Sequence, residues 1–195
     1  MNRYILSDGA HVRHIKRIQH RGQVPALIVF GIFLWCSVVF PHIYLFHIAS
    51  SLSIFWYITL ALRYRIRHRI VQPTDDAVYS PITGKISTPM LAKGLRRISI
   101  HKKAWDVCEL RCPKSGCHWD GDELLLDRPR MRFSFSARRI IRIPDAEMKV
   151  GNLIGWIPGR AVCTITTSEN TPIMLTAKSF LEAGESRITL ENTAT

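Results

Sequence analysis

The first pattern along the chain is a long apolar run over residues 24–62, which contains no Lys, Arg, Asp or Glu. A bilayer core takes about 20 apolar residues per helix, so this run has the length of nearly two membrane-spanning helices. The pattern predicts a transmembrane helical hairpin whose turn lies between Pro41 and Ser53. The run starts late and has no small-residue cleavage pattern soon after it, which is atypical of a cleaved signal peptide.

A second pattern begins at about residue 77, where short stretches of alternating apolar and polar residues are separated by glycine and proline. The alternation is clearest in RMRFSFS, where Met131, Phe133 and Phe135 share one face of a strand. There is no comparable helical stripe in this part of the sequence. The pattern predicts a mostly antiparallel β domain over residues 77–190, built as a small barrel or a sandwich.

These two patterns divide the chain into five parts. A basic N-terminal segment (1–23) precedes the hairpin (24–62), and a basic linker (63–76) leads to the β domain (77–190). The last residues (191–195) are expected to be a frayed tail. The sequence therefore predicts a membrane anchor followed by one domain with its own core.

Charge adds an orientation, because the chain has 27 Lys and Arg against 15 Asp and Glu. Much of this charge flanks the apolar run, so anionic phospholipid rather than nucleic acid is the predicted partner. The positive-inside tendency places both termini and the β domain on the cytoplasmic side of the membrane. The arginines that follow the run are Arg63, Arg65, Arg67 and Arg69. A role in setting the topology alone explains them equally well.

Three cysteines and a histidine lie close together in the middle of the chain, at Cys108, Cys112, Cys117 and His118. Thiolates and imidazole bind zinc, and structural zinc sites usually have four such ligands. The spacing lacks the tight C-x2-C knuckle and no second cysteine pair follows, so the sequence favours packed thiols over a metal site. Since disulfides rarely persist in the cytoplasm, these cysteines are expected to be free thiols.

Two further arginines, Arg138 and Arg139, directly precede the apolar pair Ile140-Ile141. Alternation directs one of the two inward or toward a partner. A surface role is the default interpretation for both, and contact with a lipid phosphate is the alternative. The sequence has no Gly-rich phosphate loop, no HExxH helix and no GxSxG elbow.

Several segments, read in order, resemble the phosphatidylserine decarboxylase family, especially its short form with an N-terminal membrane hairpin. AVYSPITGKIS (77–87) is similar to an early family strand that reads Ser-Pro-Ala-Asp-Gly-Arg/Lys-Val, and residues 97–116 are similar to the segment containing Asp-Val-His-Val-Asn-Arg. SFSARRIIRI (134–143), VGNLIGWIPGRAV (150–162) and SFLEAGESRI (179–188) are similar to later segments. The resemblance runs in colinear order over nearly the whole chain.

The resemblance implies a decarboxylase-like β domain and a chemistry that depends on three residues. In the family, a serine after a glycine cleaves the chain and becomes a pyruvoyl group, which forms a Schiff base with phosphatidylserine and accepts the electrons as carbon dioxide leaves. An aspartate and a histidine assist. This chain has Thr83 in place of the aspartate, Cys108 in place of the histidine and Arg160 in place of the serine.

None of these three replacements supports the family's chemistry. A guanidinium neither attacks a carbonyl nor yields a pyruvoyl group, and a thiol is a poor substitute for an imidazole that shuttles protons near neutrality. Cys163 lies close to the loop, but it does not follow a glycine and falls within a predicted strand. We therefore expect no catalytic residues and no pyruvoyl cofactor.

The sequence predicts a membrane-tethered pseudoenzyme that acts as a lipid-binding protein or as an accessory scaffold in a complex with other integral membrane proteins. Lipid or partner contact is assigned to Arg160, to Arg138 and Arg139, and to the arginines after the hairpin. Aromatic and small residues in the hairpin suit packing against other helices. The alternative is an active decarboxylase that makes phosphatidylethanolamine, which would have to cleave itself near residue 159.

Overall fold

Two apolar helices and a mostly antiparallel β domain follow one another along the chain. The computed structural model describes residues 4–6, 9–66, 69–71, 74–92, 94–144, 146–173, 175 and 179–190. This order agrees with the two hydrophobic patterns in the sequence.

Helix α1 spans Gly9–Val39 and helix α2 spans Tyr44–Arg63, and the two form the helix pair. Both are long and apolar enough to cross a membrane. Helix α1 begins well before the apolar run, so part of the basic N-terminal segment is helical. The chain reverses between Val39 and Tyr44, at the start of the interval that the sequence indicated.

Small residues line the seam between the two helices. A Cβ added at Gly22 would lie 3.5 Å from the Leu60 side chain, and Ala26 is fully buried. The hydroxyls of Ser37 and Ser53 donate to the carbonyls of Leu34 and Ala49 in their own helices, which removes the cost of burying them. The seam is therefore close-packed without leaving these hydroxyls unpaired.

The strands are short, as the frequent glycine and proline residues require. They are β1 (Tyr4–Leu6), β2 (Arg69–Val71), β3 (Ala77–Tyr79), β4 (Gly84–Ile86), β5 (Met90–Ala92), β6 (Leu95–Lys102), β7 (Glu109–Arg111), β8 (His118–Asp120), β9 (Glu123–Leu126), β10 (Met131–Ala137), β11 (Ile141–Arg142), β12 (Leu153–Trp156), β13 (Ala161–Ser168), β14 (Phe180–Leu181) and β15 (Arg187–Leu190).

The longest sheet has the order β14-β4-β6-β13-β10-β9-β8, with β5 also paired to β6. Smaller sheets are β11-β12-β7, β15-β3 and β1-β2, and every pairing is antiparallel. Within the described residues β14 and β8 are open edges, so the long sheet does not close. The barrel alternative was therefore wrong, because the strands at the two edges have no partner in common.

The core of the β domain lies on one face of the long sheet. Along β13, Cys163 and Ile165 are buried while Thr164 and Thr166 are half-exposed, which is the alternation expected of a strand with one face in the core. Phe133 of β10 is fully buried. Phe135 is only partly buried and packs at the edge of this core.

A second, smaller cluster joins the helix pair to the β domain. Ile15 of α1 is fully buried against Cys108, Ile143 and Trp156, and the ring of His14 stacks on Trp156 with centroids 6.2 Å apart. Strand β1 precedes α1, strand β2 follows α2, and the two are paired. The start of α1 and the end of α2 therefore lie on the same side of the helix pair.

Candidate functional site

The corner between β12 and β13 contains Gly159 and Arg160. Gly159 has a φ of +94°, a conformation that side-chain-bearing residues rarely adopt. The backbone conformation of the corner therefore explains why a glycine stands before Arg160. Arg160 is exposed, so the corner presents its guanidinium to the outside.

Lys102, the last residue of β6, holds this corner from the inside. Its ammonium donates to the carbonyls of Gly159 at 2.8 Å and of Lys103 and Asp106 at 3.2 Å. Lys102 is only 3% exposed, and its burial lowers the pKa of the ammonium. Because an ammonium has three hydrogens to donate, all of them are engaged and Lys102 acts as a structural brace.

Arg63, at the end of α2, lies on another side of the same corner. Its Nε is 3.5 Å from the position that a Cβ on Gly159 would occupy. The Nε is buried and makes no hydrogen bond to any described residue. The last turn of a helix favours a cation, since the helix dipole is negative there. The corner is thus fixed between the helix pair and the end of β6.

A cavity of about 340 Å³ opens beside the corner, and we call it the cationic pocket. Its polar lining consists of His101, Lys102, Ser136, Arg138 and Arg160, and no acidic residue of the described chain lines it. The register places Ala137 opposite Ala161 and Val162 opposite His101, which brings the ends of three strands to one place. With two exposed guanidiniums and a hydroxyl, the cationic pocket suits an anion.

The structure separates the two neighbouring arginines that the sequence treated together. Arg138 lines the cationic pocket, whereas Arg139 is exposed and does not. Arg65 is also exposed, and its carbonyl accepts a hydrogen bond of 2.9 Å from the Cys108 amide. Arg67 and the side chain of Arg69 lie outside the described residues. Arg138, Arg160 and Arg63 are therefore the predicted arginines that approach the corner.

Thr83 and Cys108, the other two positions at which the resemblance implies a replacement, are buried. The Thr83 hydroxyl accepts a hydrogen bond of 3.2 Å from the Ala183 amide. The following residue, Gly84, has no room for a side chain, because a Cβ there would lie 2.6 Å from the His101 carbonyl oxygen. Thr83 therefore has a structural role in this protein.

Cys108 lies between the corner and the end of α2. Its amide donates to Arg65, and its carbonyl accepts from the Ile157 amide at 2.7 Å. Burial raises the pKa of the Cys108 thiol to about 12, although the nearby Lys102 works in the opposite direction. The thiol is neutral at ordinary pH, so it is not a nucleophile.

Cys163 is also unsuited to act as a substitute nucleophile. It is fully buried in β13, opposite Ile100 and Phe135, and burial raises the pKa of its thiol as well. Neither Cys108 nor Cys163 therefore supplies an ionised thiol beside the corner.

The predicted group of metal-binding candidates is divided among three places. The Sγ atoms of Cys112 and Cys117 are 2.8 Å apart, whereas Cys108 belongs to the cluster around Trp156 and His118 is exposed on β8. No group of three or more His, Cys, Asp or Glu side chains in the described part of the chain is arranged to hold a metal ion.

Sequence reasoning missed Lys102, His101 and Ser136. One signal was available for Lys102: Ile98 and Ile100 alternate on the buried face of β6, and Lys102 continues that face. An inward lysine at a strand end needs oxygen partners, which turns and corners supply. His101 and Ser136 gave no signal, since their place depends on the pairing of distant strands.

Comparison of the chain with protein-family models, with curated proteins and with solved structures finds no match.

Proposed function

We propose that this protein is a membrane-tethered pseudoenzyme of the phosphatidylserine decarboxylase type, which does not process itself and binds an anionic phospholipid headgroup in the cationic pocket. The observation that carries this proposal is the pocket itself, which is lined by Arg138 and Arg160. It opens beside a corner whose other side contacts Arg63, at the end of a helix that is long enough to cross a membrane. A phosphate or carboxylate would be held there by charge-assisted hydrogen bonds.

The same geometry supports the absence of self-processing. Arg160 follows Gly159 at the corner, and the only cysteine that could substitute for the family's serine in this strand, Cys163, is neutral and buried. A protein that stays intact has a mass of 22.3 kDa. A split near residue 159, with a blocked N-terminus on the smaller fragment, would instead establish the alternative of an active decarboxylase.

The orientation belongs to the proposal as well. The basic residues on both sides of the apolar run favour a cytoplasmic β domain. The pairing of β1 with β2 supports one location for both ends of the helix pair. Proteolysis of vesicles of known orientation, followed by detection of the β domain, tests this assignment.

Native mass analysis of the full chain, extracted in mild detergent, tests the lipid site. We expect co-purified anionic phospholipid, and we expect the double variant Arg138→Gln/Arg160→Gln to retain at least about tenfold less, since a hydrogen bond to a charged group is worth about 1.5–3 kcal/mol. Arg139→Gln is the matched control, because it removes the neighbouring charge outside the pocket.

Two results would count against this function. Equal lipid retention by the double variant and by Arg139→Gln would show that the pocket is not the binding site. Stable co-migration with other membrane proteins and no bound phospholipid would favour the scaffold role, in which the exposed side chains of Trp35 and Phe55 would contact partner helices.

A further inference from the structure

The turn Lys103–Asp106, which we call the Trp105 turn, exposes a tryptophan. Of the three tryptophans in the β domain, Trp156 is buried, Trp119 is half-buried and Trp105 is 53% exposed. An exposed tryptophan forgoes the gain from burying its apolar area, and an apolar medium could supply that gain. The helix pair exposes Trp56 to a similar extent, at 46%.

The Trp105 turn is rigidly built. The Asp106 carboxylate accepts a hydrogen bond of 2.7 Å from the Lys103 amide, and the Asp106 amide donates to the Lys103 carbonyl at 3.3 Å. The buried Lys102 ammonium donates to the carbonyls at both ends of the turn. The backbone position of Trp105 is therefore fixed by the turn.

The turn lies close to the end of α2. The Cys108 amide donates to the Arg65 carbonyl at 2.9 Å, and Trp105 is three residues earlier, so its backbone lies within roughly 13 Å of that carbonyl. Arg63, the last residue of α2, is the first charged residue after the apolar run. The headgroup layer adds about 5–7 Å on each side of the hydrocarbon core, which places the turn at or just beyond that layer if α2 spans the membrane.

The chemistry of the turn matches that layer. Tryptophan concentrates at membrane interfaces, and lysine pairs with lipid phosphates there. The Lys103 ammonium lies 5.6 Å from the centroid of the Trp105 ring, so the two side chains form one aromatic and cationic surface. The Asp106 carboxylate is occupied by the Lys103 amide within the turn.

We propose that the Trp105 turn docks onto an anionic lipid surface, with the Trp105 ring among the headgroups and the Lys103 ammonium on their phosphates. The inference rests on the proposed membrane tether. Because Lys102 both braces the turn and lines the cationic pocket, docking of the turn would hold that pocket close to the headgroups. The turn thus acts as a second contact that fixes how the β domain faces the bilayer.

Hydroxyl-radical footprinting of the full chain, read out by mass spectrometry for each residue, tests this docking in vesicles of phosphatidylglycerol and phosphatidylcholine. Oxidation rates are divided by the intrinsic rate of each amino acid. Protection of Trp35 and Trp56 reports insertion of the helix pair, and Met90, which is 72% exposed on β5, reports a surface left in water. We expect Trp105 to be protected along with Trp35 and Trp56 while Met90 is oxidised.

The variant Lys103→Glu sharpens the test, since it keeps the backbone bonds of the turn and reverses the charge. We expect oxidation of Trp105 to rise by at least about fivefold, the effect of a single cation beside an anionic leaflet, while Trp35 and Trp56 stay protected. Lys149→Glu is the matched control at an exposed site outside the turn, and it should leave Trp105 protected.

Three results would overturn the docking. Free oxidation of Trp105 with Trp35 and Trp56 protected would show a tethered domain whose turn stays in water. Protection of Trp105 that is indifferent to Lys103→Glu and persists in neutral phosphatidylcholine would mean that the ring is covered without anionic lipid, either by neutral lipid or by protein. Free oxidation of all three tryptophans would remove the membrane tether and the docking together, whereas loss of the Arg138/Arg160 lipid site alone would not alter Trp105.

Discussion

The helix pair and the β domain place side chains of the same type in opposite surroundings. Phe133 and Trp156 of the β domain are 0% and 2% exposed, whereas Phe55 and Trp35 of the helix pair are 69% and 67% exposed. In the β domain the burial of apolar area stabilises the fold. In the helix pair the apolar side chains are exposed on the outer surface. The helices are therefore stabilised by their internal hydrogen bonds and by an apolar medium around them.

The strongest test of this contrast is one substitution made in both regions. Phe133→Ala should destabilise the β domain by about 3–5 kcal/mol, because it leaves a cavity in a core that cannot fully collapse. Phe55→Ala should change the unfolding free energy of the β domain by less than about 0.5 kcal/mol. Urea unfolding in mild detergent, followed by near-ultraviolet circular dichroism, measures both. Similar losses in the two variants would mean that the helix pair and the β domain unfold as one unit.

A second test targets the place where the two regions meet. Ile15→Ala removes a fully buried side chain between α1 and the β domain and should weaken their contact by about 2–3 kcal/mol. Faster hydrogen exchange of the amides of β12 would report the loosening. Ile28→Ala, at an exposed position of the same helix, is the control. Unchanged exchange in Ile15→Ala would show that the cluster around Trp156 holds without the helix.

The helix pair and the β domain also differ in how much of their structure can be predicted from the sequence. The apolar run predicted both helices because length and the absence of charge are local properties. It missed the first turns of α1, where Ile15 and His14 pack on the β domain, since those contacts depend on a distant partner.

In the β domain, alternation predicted strands and the shared face of Met131, Phe133 and Phe135, but it could not decide between a barrel and a sandwich. That outcome depends on which strands pair. The candidate site follows the same rule. Arg138 and Arg160 were identified from the sequence, whereas the bracing role of Lys102 depends on the carbonyl of Gly159, which lies in a corner more than fifty residues away.

The brace itself gives a third test. Lys102→Met removes the ammonium that donates to three carbonyls and should destabilise the β domain by roughly 1–2 kcal/mol. The loss is smaller than the cost of leaving three buried carbonyls unpaired, because water reaches the exposed side of the turn. Retention of phospholipid should also fall, since the corner that positions Arg160 is loosened. Lys85→Met, at an exposed position of β4, is the control. Full lipid retention in Lys102→Met would show that the corner is held by its backbone alone.

The smallest expected effect is a pH dependence of the unfolding free energy that arises in the β domain and not in the helix pair. Burial raises the pKa of Cys163 above its ordinary value of 9.0 and that of Cys108 to about 12, so both folded thiols stay protonated where unfolded thiols ionise. Their contribution to stability is therefore complete below pH 9 and is lost as the pH rises toward the folded pKa values, by up to about 1.4 kcal/mol per pH unit for each thiol. The lowered pKa of Lys102 acts in the opposite sense below pH 10.5 and partly offsets this loss.

A cysteine variant measures the contribution of one thiol to this pH dependence of the unfolding free energy. Cys163→Ala should reduce the loss of unfolding free energy between pH 8 and pH 10 by about 1.4 kcal/mol, because the unfolded state of the variant has one proton fewer to release. Cys36→Ala, which changes a cysteine of α1, should leave the pH profile of the β domain unchanged, since the helix does not take part in that unfolding transition. An equal change in both profiles would contradict the separation of the helix pair from the β domain, while no change in either would mean that Cys163 is already reached by water in the folded protein.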